Sequence, residues 1–295
     1  MCADTNWPPS PKAQLAQLGL SPRKALGQNF LIGHRVINTI LRAAELNSSD
    51  LVLEIGPGLG IVTEQLVTQA GKVIALEMDP ELANSLSGRV SDGHKLSVVC
   101  GDARQVDVCN LIGEDSYKLI GNLPYYAANP ILRHFLESEC RPTRIVVMLQ
   151  REVAKSMTAQ PGQMSLLSVG VQTYGKPRIV GYVPPSAFYP QPKVTSAVVS
   201  IDVYRTPALE FEDRDGFFNV VRAGFSAPRK QIRNSLANGL GITFQEALEL
   251  LGKANIEPSR RAETLDIETW KALYEATKGE LAHVCDGTCQ DKPLS

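Results

Sequence analysis

Leu51-Val52-Leu53-Glu54-Ile55-Gly56-Pro57-Gly58-Leu59-Gly60 reads as a short apolar strand that runs straight into a glycine-rich turn, with a helix-like stretch at 63–69 beyond it. Glycines let the backbone turn tightly and approach a ligand, and the start of the following helix can polarise that ligand. The spacing is G-x-G-x-G, with Ile61 where a dinucleotide fingerprint carries its third glycine. That favours S-adenosyl-L-methionine, which has no pyrophosphate to cradle, over NAD or FAD. Taken alone, such a loop is often only a tight turn, so its neighbours decide the reading.

Outward from this turn, strand-like runs recur at 72–77, 96–100, 117–121 and 144–149, alternating with helix-like stretches at 80–89, 130–138 and 151–158. Strand–helix alternation of this kind predicts an α/β, Rossmann-like doubly wound parallel sheet with right-handed crossovers. Two further runs, 178–183 and 194–204, have no crossover helix between them and predict an antiparallel edge hairpin, as is common in class I methyltransferases. Near Thr206-Pro207 the pattern changes. Only helical periodicity follows, at 217–225, 229–236, 244–251 and 267–277, predicting a small all-helical second domain. The expected organisation is a flexible arm over 1–20, where Pro8, Pro9 and Pro11 discourage regular structure, a methyltransferase domain over 21–205, a helical domain over 206–278 and a disordered tail over 279–295.

Two acidic residues stand at strand ends beside the glycine loop. Glu77 closes the second strand, about twenty residues on, where a carboxylate can take both ribose hydroxyls. Asp102 follows Val98-Val99-Cys100-Gly101 at the end of the third, where it can accept the cofactor's adenine amine. Either alone reads better as a solvated carboxylate; three strand ends with suitable chemistry, in order, point to S-adenosyl-L-methionine. The fourth strand, 117–121, runs into Asn122-Leu123-Pro124-Tyr125. An amide, a proline-stiffened turn and an aromatic ring suit one task, gripping an exocyclic amine on a flat base while the ring stacks on its face. This tetrapeptide is similar to the amine-methyltransferase signature, although a strand-to-helix turn would look much the same.

Composition narrows the partners. At 43% hydrophobic the 295 residues suffice for one sizeable core and a satellite. The net charge of −1 gives no global basic field, so any RNA contact must use local positive charge. The six cysteines show no disulfide framework, which fits a reducing cytoplasm. His283, Cys285 and Cys289 match no standard zinc module, so no metal is expected. No run has the length of a membrane span, and the polar, proline-rich start is unlike a signal peptide. The expectation is a cytoplasmic monomer.

Residues 21–277 closely resemble the bacterial small-subunit rRNA adenine N6,N6-dimethyltransferase family. The resemblance is carried by Leu26-Gly27-Gln28-Asn29-Phe30-Leu31, the 54–60 loop, Glu77-Met78-Asp79, Gly101-Asp102-Ala103 and Asn122-Leu123-Pro124-Tyr125-Tyr126. It continues through Gln150-Arg151-Glu152-Val153-Ala154, Pro184-Pro185-Ser186-Ala187-Phe188, Pro192-Lys193-Val194-Thr195-Ser196-Ala197, Phe225-Ser226, Arg229-Lys230 and Arg261-Ala262-Glu263. It implies dimethylation of two adjacent adenosines in the 3′-terminal hairpin of small-subunit rRNA, on a 30S ribosomal subunit precursor. It also implies a cofactor set of Gln28, Asn29, Leu31, Gly56, Gly58, Glu77, Met78, Asp102, Ala103 and Asn122, with the first three closing over the methionine end. On the substrate side, Asn122 and a carbonyl of Leu123 or Pro124 would accept the amine protons. Tyr125 and Phe188 would sandwich the base, with core packing an equal reading for Phe188. In the second domain, 217–245 contains no acidic residue but holds Arg222, Arg229, Lys230 and Arg233. Arg229 and Arg233 are four apart on the expected helix and would share an RNA-facing side, with Arg23 and Lys24 extending the patch. Three rivals share parts of this pattern: the large-subunit rRNA adenine N6-methyltransferases, a non-catalytic nucleic-acid-binding relative, and a small-molecule or protein amine methyltransferase.

Overall fold

The strand that opens the glycine turn, β2 (Leu51–Ile55), is buried along its whole length within a seven-stranded sheet. The structure, a computed structural model, describes residues 9–88, 94–113, 115–206 and 214–278. Pro8, residue 89 at the end of one expected helix, Pro207 at the expected boundary, and the tail 279–295 with His283, Cys285 and Cys289 lie outside the described residues. Chain contacts divide the molecule into two units, one of residues 1–158 with 174–205, the other of 159–173 with 206–295.

In the first unit, β2 lies between the parallel strands β3 (Lys72–Glu77) and β5 (Tyr117–Asn122). β4 (Leu96–Cys100) lies beyond β3, and β6 (Arg144–Gln150) beyond β5. β9 (Ser196–Val203) then inserts antiparallel between β6 and the edge strand β7 (Gly175–Val183). The order is β4-β3-β2-β5-β6-β9-β7, a doubly wound sheet ending in the expected antiparallel pair. β7 carries Pro177 and Arg178, and its register with β9 slips between Ile179 and Gly181. A separate antiparallel pair joins β1 (Phe30–Leu31) to β8 (Phe188–Tyr189).

Helices α2 (His34–Ala44) and α3 (Ile61–Gln69) supply Ile37, Ile40, Leu66 and Val67 to a core that also holds Val52, Val73, Ile120, Val146 and Met148 from the strands. Each such side chain stabilises the fold by about 1.5–3 kcal/mol when withdrawn from water. α4 (Pro80–Ser87), α5 (Val108–Ile112), α6 (Ala128–Glu137) and α7 (Arg151–Met157) follow β3, β4, β5 and β6 in turn. Because β2 to β5 run parallel, their carboxyl ends gather the loops after Ile55, Glu77, Cys100 and Asn122 at one side of the sheet, where ligands bind in such folds.

Two expectations change here. Within the supposed arm, α1 (Pro11–Gln17) forms, with Ser10 capping Ala13 N–H at 3.3 Å and Leu15 buried against Phe30, Leu59 and Leu82. Pro11 sits at the first helical turn, where its missing N–H costs nothing, so the proline read as a breaker is a starter. The cysteines are also not all unpaired: Cys109 and Cys140 form a disulfide with Cα atoms 5.3 Å apart. Their separation of 31 residues hid a proximity that only the packing of α5 near the end of α6 creates.

The second unit contains α8 (Leu166–Gln172), α9 (Arg214–Phe225), α10 (Ile232–Leu240), α11 (Phe244–Lys253) and α12 (Ile267–Thr277). Phe217, Leu236, Leu251, Trp270 and Leu273 form its buried interior, with the Phe225 and Trp270 rings 5.4 Å apart. Residues 159–173, placed by sequence inside the 21–205 segment, cluster with this unit. Val169 and Val171 on α8 are buried, and the N–H groups of Gly162 and Met164 donate to the Glu263 carbonyl at 2.7 and 3.1 Å. Among the described residues, no helix is long and apolar enough to cross a membrane.

Candidate active site

One cavity at the carboxyl ends of the parallel strands is lined by the glycine loop, Glu54, Glu77, Met78, Asp102, Ala103, Asn122 to Tyr126 and the segment 26–31. Gly56, Gly58 and Gly60 all have positive φ (66°, 56° and 80°), a left-handed course that side chains disfavour. Space is equally demanding: a Cβ on Gly58 would stand 3.1 Å from the Phe30 ring. The glycines thus bring backbone to the cavity wall, beside Pro57 and Leu59.

Glu77 holds that loop in place. Its Oε2 accepts the Gly58 N–H and its Oε1 the Asp79 N–H, both at 3.0 Å. The side chain is 7% exposed, and burial pushes its pKa up against the opposing pull of those N–H groups. Glu54, on β2, escaped the sequence reading as a site residue. It is 3% exposed, burial raises its pKa to about 8, and its Oε2 has no hydrogen-bond partner among the described residues. Asp102 is different again. Arg104 grips it through Nε (3.0 and 3.1 Å to the two oxygens) and Nη2 (2.6 Å), and this guanidinium lowers its pKa. Arg104 also lines the cavity and was not singled out in sequence, since a basic residue two places after a strand-end acid looks merely solvated. Ala103 is buried, whereas Met78 is exposed.

The segment 26–31 crosses the cavity as a strap. Gln28 lines it, but its side chain is occupied elsewhere, donating to Asp79 Oδ2 at 2.9 Å and accepting the Arg23 N–H at 2.8 Å. Asn29 bonds the Gly27 carbonyl through its amide at 2.9 Å, and Leu31 is buried in β1. Arg23, expected to join a free basic patch, is ion-paired to Asp79 and Glu81.

On the substrate side, Asn122 Nδ2 donates to the Asn29 carbonyl at 2.9 Å, which turns Oδ1 away to accept. Leu123 is buried, and the Pro124 carbonyl already accepts the Ala127 N–H at 2.9 Å. Tyr125 is half-buried with its hydroxyl 2.6 Å from Ser196 Oγ, and burial raises its pKa. Tyr126, 54% exposed, stands at the rim. Phe188 does not join them. It pairs with Leu31 across β1 and β8, is 2% exposed and belongs to the core, so it offers no face to a base.

The basic residues of the second unit are arranged differently from expectation. α10 begins only at Ile232, because the turn through Pro228 precedes it, so Arg229 and Arg233 share no helix face. Arg229 and Lys230 are exposed in that turn, and Arg222 is exposed on α9. Arg233 is half-buried with its guanidinium 5.4 Å above the Phe244 ring.

A doubly wound sheet with an antiparallel edge, a glycine loop pinned by a strand-end carboxylate, and Asn-Leu-Pro-Tyr at the next strand end defines a class I methyltransferase. The family model for ribosomal RNA adenine dimethylases matches residues 19–273. A "Ribosomal RNA small subunit methyltransferase A" of Dehalococcoides mccartyi is 46% identical over 255 residues, covering 86% of this chain and 88% of that protein. The protein of the same description from Moorella thermoacetica is 42% identical over 272 residues, covering 88% and 94%. Among solved structures, a dimethyladenosine transferase from Plasmodium falciparum superposes with TM-score 0.75 at 25% identity, covering 85% of this chain and 98% of that one. The 23S rRNA methyltransferase ErmE gives 0.68 at 27%, covering 84% and 99%. The chain belongs to the ribosomal RNA adenine dimethylase family, whose methyl donor is S-adenosyl-L-methionine.

The residues present fit that donor. Gly56 and Gly58 add no side chain to the cavity wall, Glu77 offers a carboxylate beside the loop, and Glu54 leaves a buried carboxyl oxygen without a partner among the described residues at that wall.

Proposed function

We propose that the chain dimethylates N6 of two adjacent adenosines in the 3′-terminal hairpin of small-subunit rRNA, on a precursor of the 30S subunit, acting as a cytoplasmic monomer. The observation that carries the reading is the Asn122 amide, fixed through its nitrogen on Asn29 so that its oxygen is free in the same cavity as the glycine loop and Glu77. When bound, S-adenosyl-L-methionine supplies a methyl group from its sulfonium. Glu77 takes the ribose hydroxyls, and Asp102 uses a remaining lone pair for the adenine amine of the cofactor, since an ionised carboxylate has about four acceptor positions. Gln28 acts by holding the strap, while Asn29, Leu31, Gly56, Gly58, Met78 and Ala103 shape the walls.

Asn122 Oδ1 and the Leu123 carbonyl accept the two protons of the target amine. This draws its lone pair out of the ring and orients it for in-line transfer. The Pro124 carbonyl is the poorer acceptor because the Ala127 N–H already occupies it. No general base is required, because the methylated cationic amine loses a proton readily. Tyr125 stacks on the base, its ring oriented by the Ser196 contact, and contributes about 1–3 kcal/mol. Residues 206–278 bind RNA, with Arg222, Arg229 and Lys230 available to phosphates and Arg233 less so.

Small-subunit rRNA is favoured over large-subunit rRNA by the curated relatives, which are described as small-subunit enzymes. The test is incubation with labelled S-adenosyl-L-methionine and undermethylated small subunits, followed by mapping of the modified nucleosides. Asn122→Ala should lose turnover far more than RNA affinity, because the amide acts on the amine during transfer. A fully active Asn122→Ala enzyme would sink the mechanism.

A further inference from the structure

We infer that Asp79 is a positioning residue that latches segment 23–31, which carries the strap 26–31, across the cofactor site, so that one buried residue sets Glu77 through its N–H and Asn122 through its carboxylate and the strap. The inference rests on the roles given above to those two residues. Asp79 is 3% exposed, and its N–H donates to Glu77 Oε1 at 3.0 Å, which fixes one oxygen of the ribose carboxylate. Its own carboxylate faces the strap: Oδ1 accepts Arg23 Nη1 at 3.0 Å, and Oδ2 accepts Gln28 Nε2 at 2.9 Å. The strap closes the ring on itself, since Gln28 Oε1 accepts the Arg23 N–H at 2.8 Å. One residue further, the Asn29 carbonyl receives Asn122 Nδ2 at 2.9 Å. Phe30 then covers Gly58, whose N–H completes the Glu77 carboxylate at 3.0 Å. Asp79, the strap, the glycine loop, Glu77 and Asn122 thus form one closed circuit.

Asp79 has a second duty, capping α4 by accepting the Glu81 N–H at 3.1 Å. Capping alone does not account for its chemistry. A cap needs one neutral acceptor, and asparagine or serine serves as well as aspartate. A carboxylate withdrawn from water is strongly disfavoured unless it is paired, and here its ion-pair partner and the partner of its second oxygen are both residues more than fifty positions earlier in the chain. The charge is there for the strap.

Asp79→Asn separates the two duties, because it keeps the cap and the shape but presents an amide to the Gln28 amide and removes the charge facing Arg23. Affinity for S-adenosylhomocysteine, measured by calorimetry, should fall at least about tenfold, the scale of one charge-assisted hydrogen bond. Amide exchange should quicken across 23–31 and stay unchanged in α4, and kcat on small subunits should fall as Asn122 loses its anchor. Gln28→Ala and Arg23→Gln cut the same latch from the other side without touching the α4 cap, so they decide the matter should Asp79→Asn fail to fold. Losses in Gln28→Ala and Asp79→Asn should be less than additive in the double variant. Folded variants with wild-type affinity and unchanged exchange in 23–31 would overturn the latch. Glu77→Ala keeps the two failures apart: retained affinity there refutes the role of Glu77, whereas affinity lost there but retained in Asp79→Asn and Gln28→Ala refutes the latch alone.

Discussion

Glu77 and Asp102 end neighbouring parallel strands and look alike in sequence, yet the fold treats them in opposite ways. Glu77 is buried, held by two backbone N–H groups, and its carboxyl sits above its ordinary range because burial disfavours the charge. Asp102 is partly open to water, held by one backbone N–H, that of Arg104 at 2.9 Å, and by the half-exposed Arg104 side chain, and sits below its ordinary range because that guanidinium favours the charge. The first is positioned by the main chain before any ligand arrives. The second shares its positioning between one main-chain N–H and a side chain that faces water. On the proposed roles, the ribose carboxylate is held by the main chain alone and the adenine carboxylate by main chain and side chain together.

Removing the member held by the main chain alone should do the most damage. Glu77→Ala deletes two charge-assisted acceptors, each contributing roughly 1.5–3 kcal/mol, and leaves the Gly58 and Asp79 N–H groups unpaired. Calorimetry showing unchanged cofactor affinity in the folded variant would erase the distinction. Asp102→Asn should cost less, about 1 kcal/mol or roughly fivefold in affinity, because an acceptor oxygen survives. An equal loss at both positions would mean that Arg104 holds Asp102 as firmly as the backbone holds Glu77.

Acid should separate the pair without any mutation. A carboxyl above its ordinary value takes up a proton first as pH falls, so cofactor affinity should weaken through Glu77 while Asp102 remains charged. That acid limb should persist in Asp102→Asn and vanish in Glu77→Gln. Stability of the ligand-free protein should run the other way. Glu54 binds its proton more tightly folded than unfolded, so the native state is favoured at low pH and loses that advantage as pH rises from 4.5 to about 8. Melting curves over this window should show the decline, and Glu54→Gln should flatten it.

The smallest effect on either carboxylate should come from the exposed turn of the helical unit. Replacing Arg229 and Lys230 with alanine should lower the slope of log affinity for RNA against log salt by about 1.4–1.8, at roughly 0.7–0.9 per phosphate contact. Cofactor affinity should not change. Adding Arg233→Ala should alter the slope little, since that guanidinium already packs on Phe244. Equal slopes in all proteins would make this turn an ordinary solvated surface.

The main sheet was legible because each central strand is predominantly apolar and ends in a turn rich in glycine, acid or proline. The cavity walls were legible for the same reason: Gly56, Glu77, Asp102 and Asn122 stand at strand ends whose positions period alone reveals. What escaped notice lacks a local signature. α2 begins at His34 behind Gly33, which has no side chain to cap it, and α8 is capped by Ser165 and Ser168 where the usual signal has an acid or amide. Phe188 and the Cys109–Cys140 pair depend on which segments meet in space, as do the contacts of Asp79 with Arg23 and Gln28. The strand-end residues proposed to meet a ligand carry a local pattern, whereas Glu54, Arg104 and the residues that hold the strand ends in place do not.

The bulge and Pro177 on β7 also bear on how the protein behaves in concentrated solution. A terminal strand offers its spare backbone groups to any chain that arrives alongside, which is how sheets grow into aggregates. β7 answers with a proline that has no N–H to give, the charged side chains of Lys176 and Arg178, and a slipped register that an incoming strand cannot follow. β4 at the opposite edge has neither charge nor proline among Leu96–Cys100, and it ends in an exposed free thiol. Self-association on storage should therefore begin at β4, where oxidation of Cys100 can make the first encounter permanent.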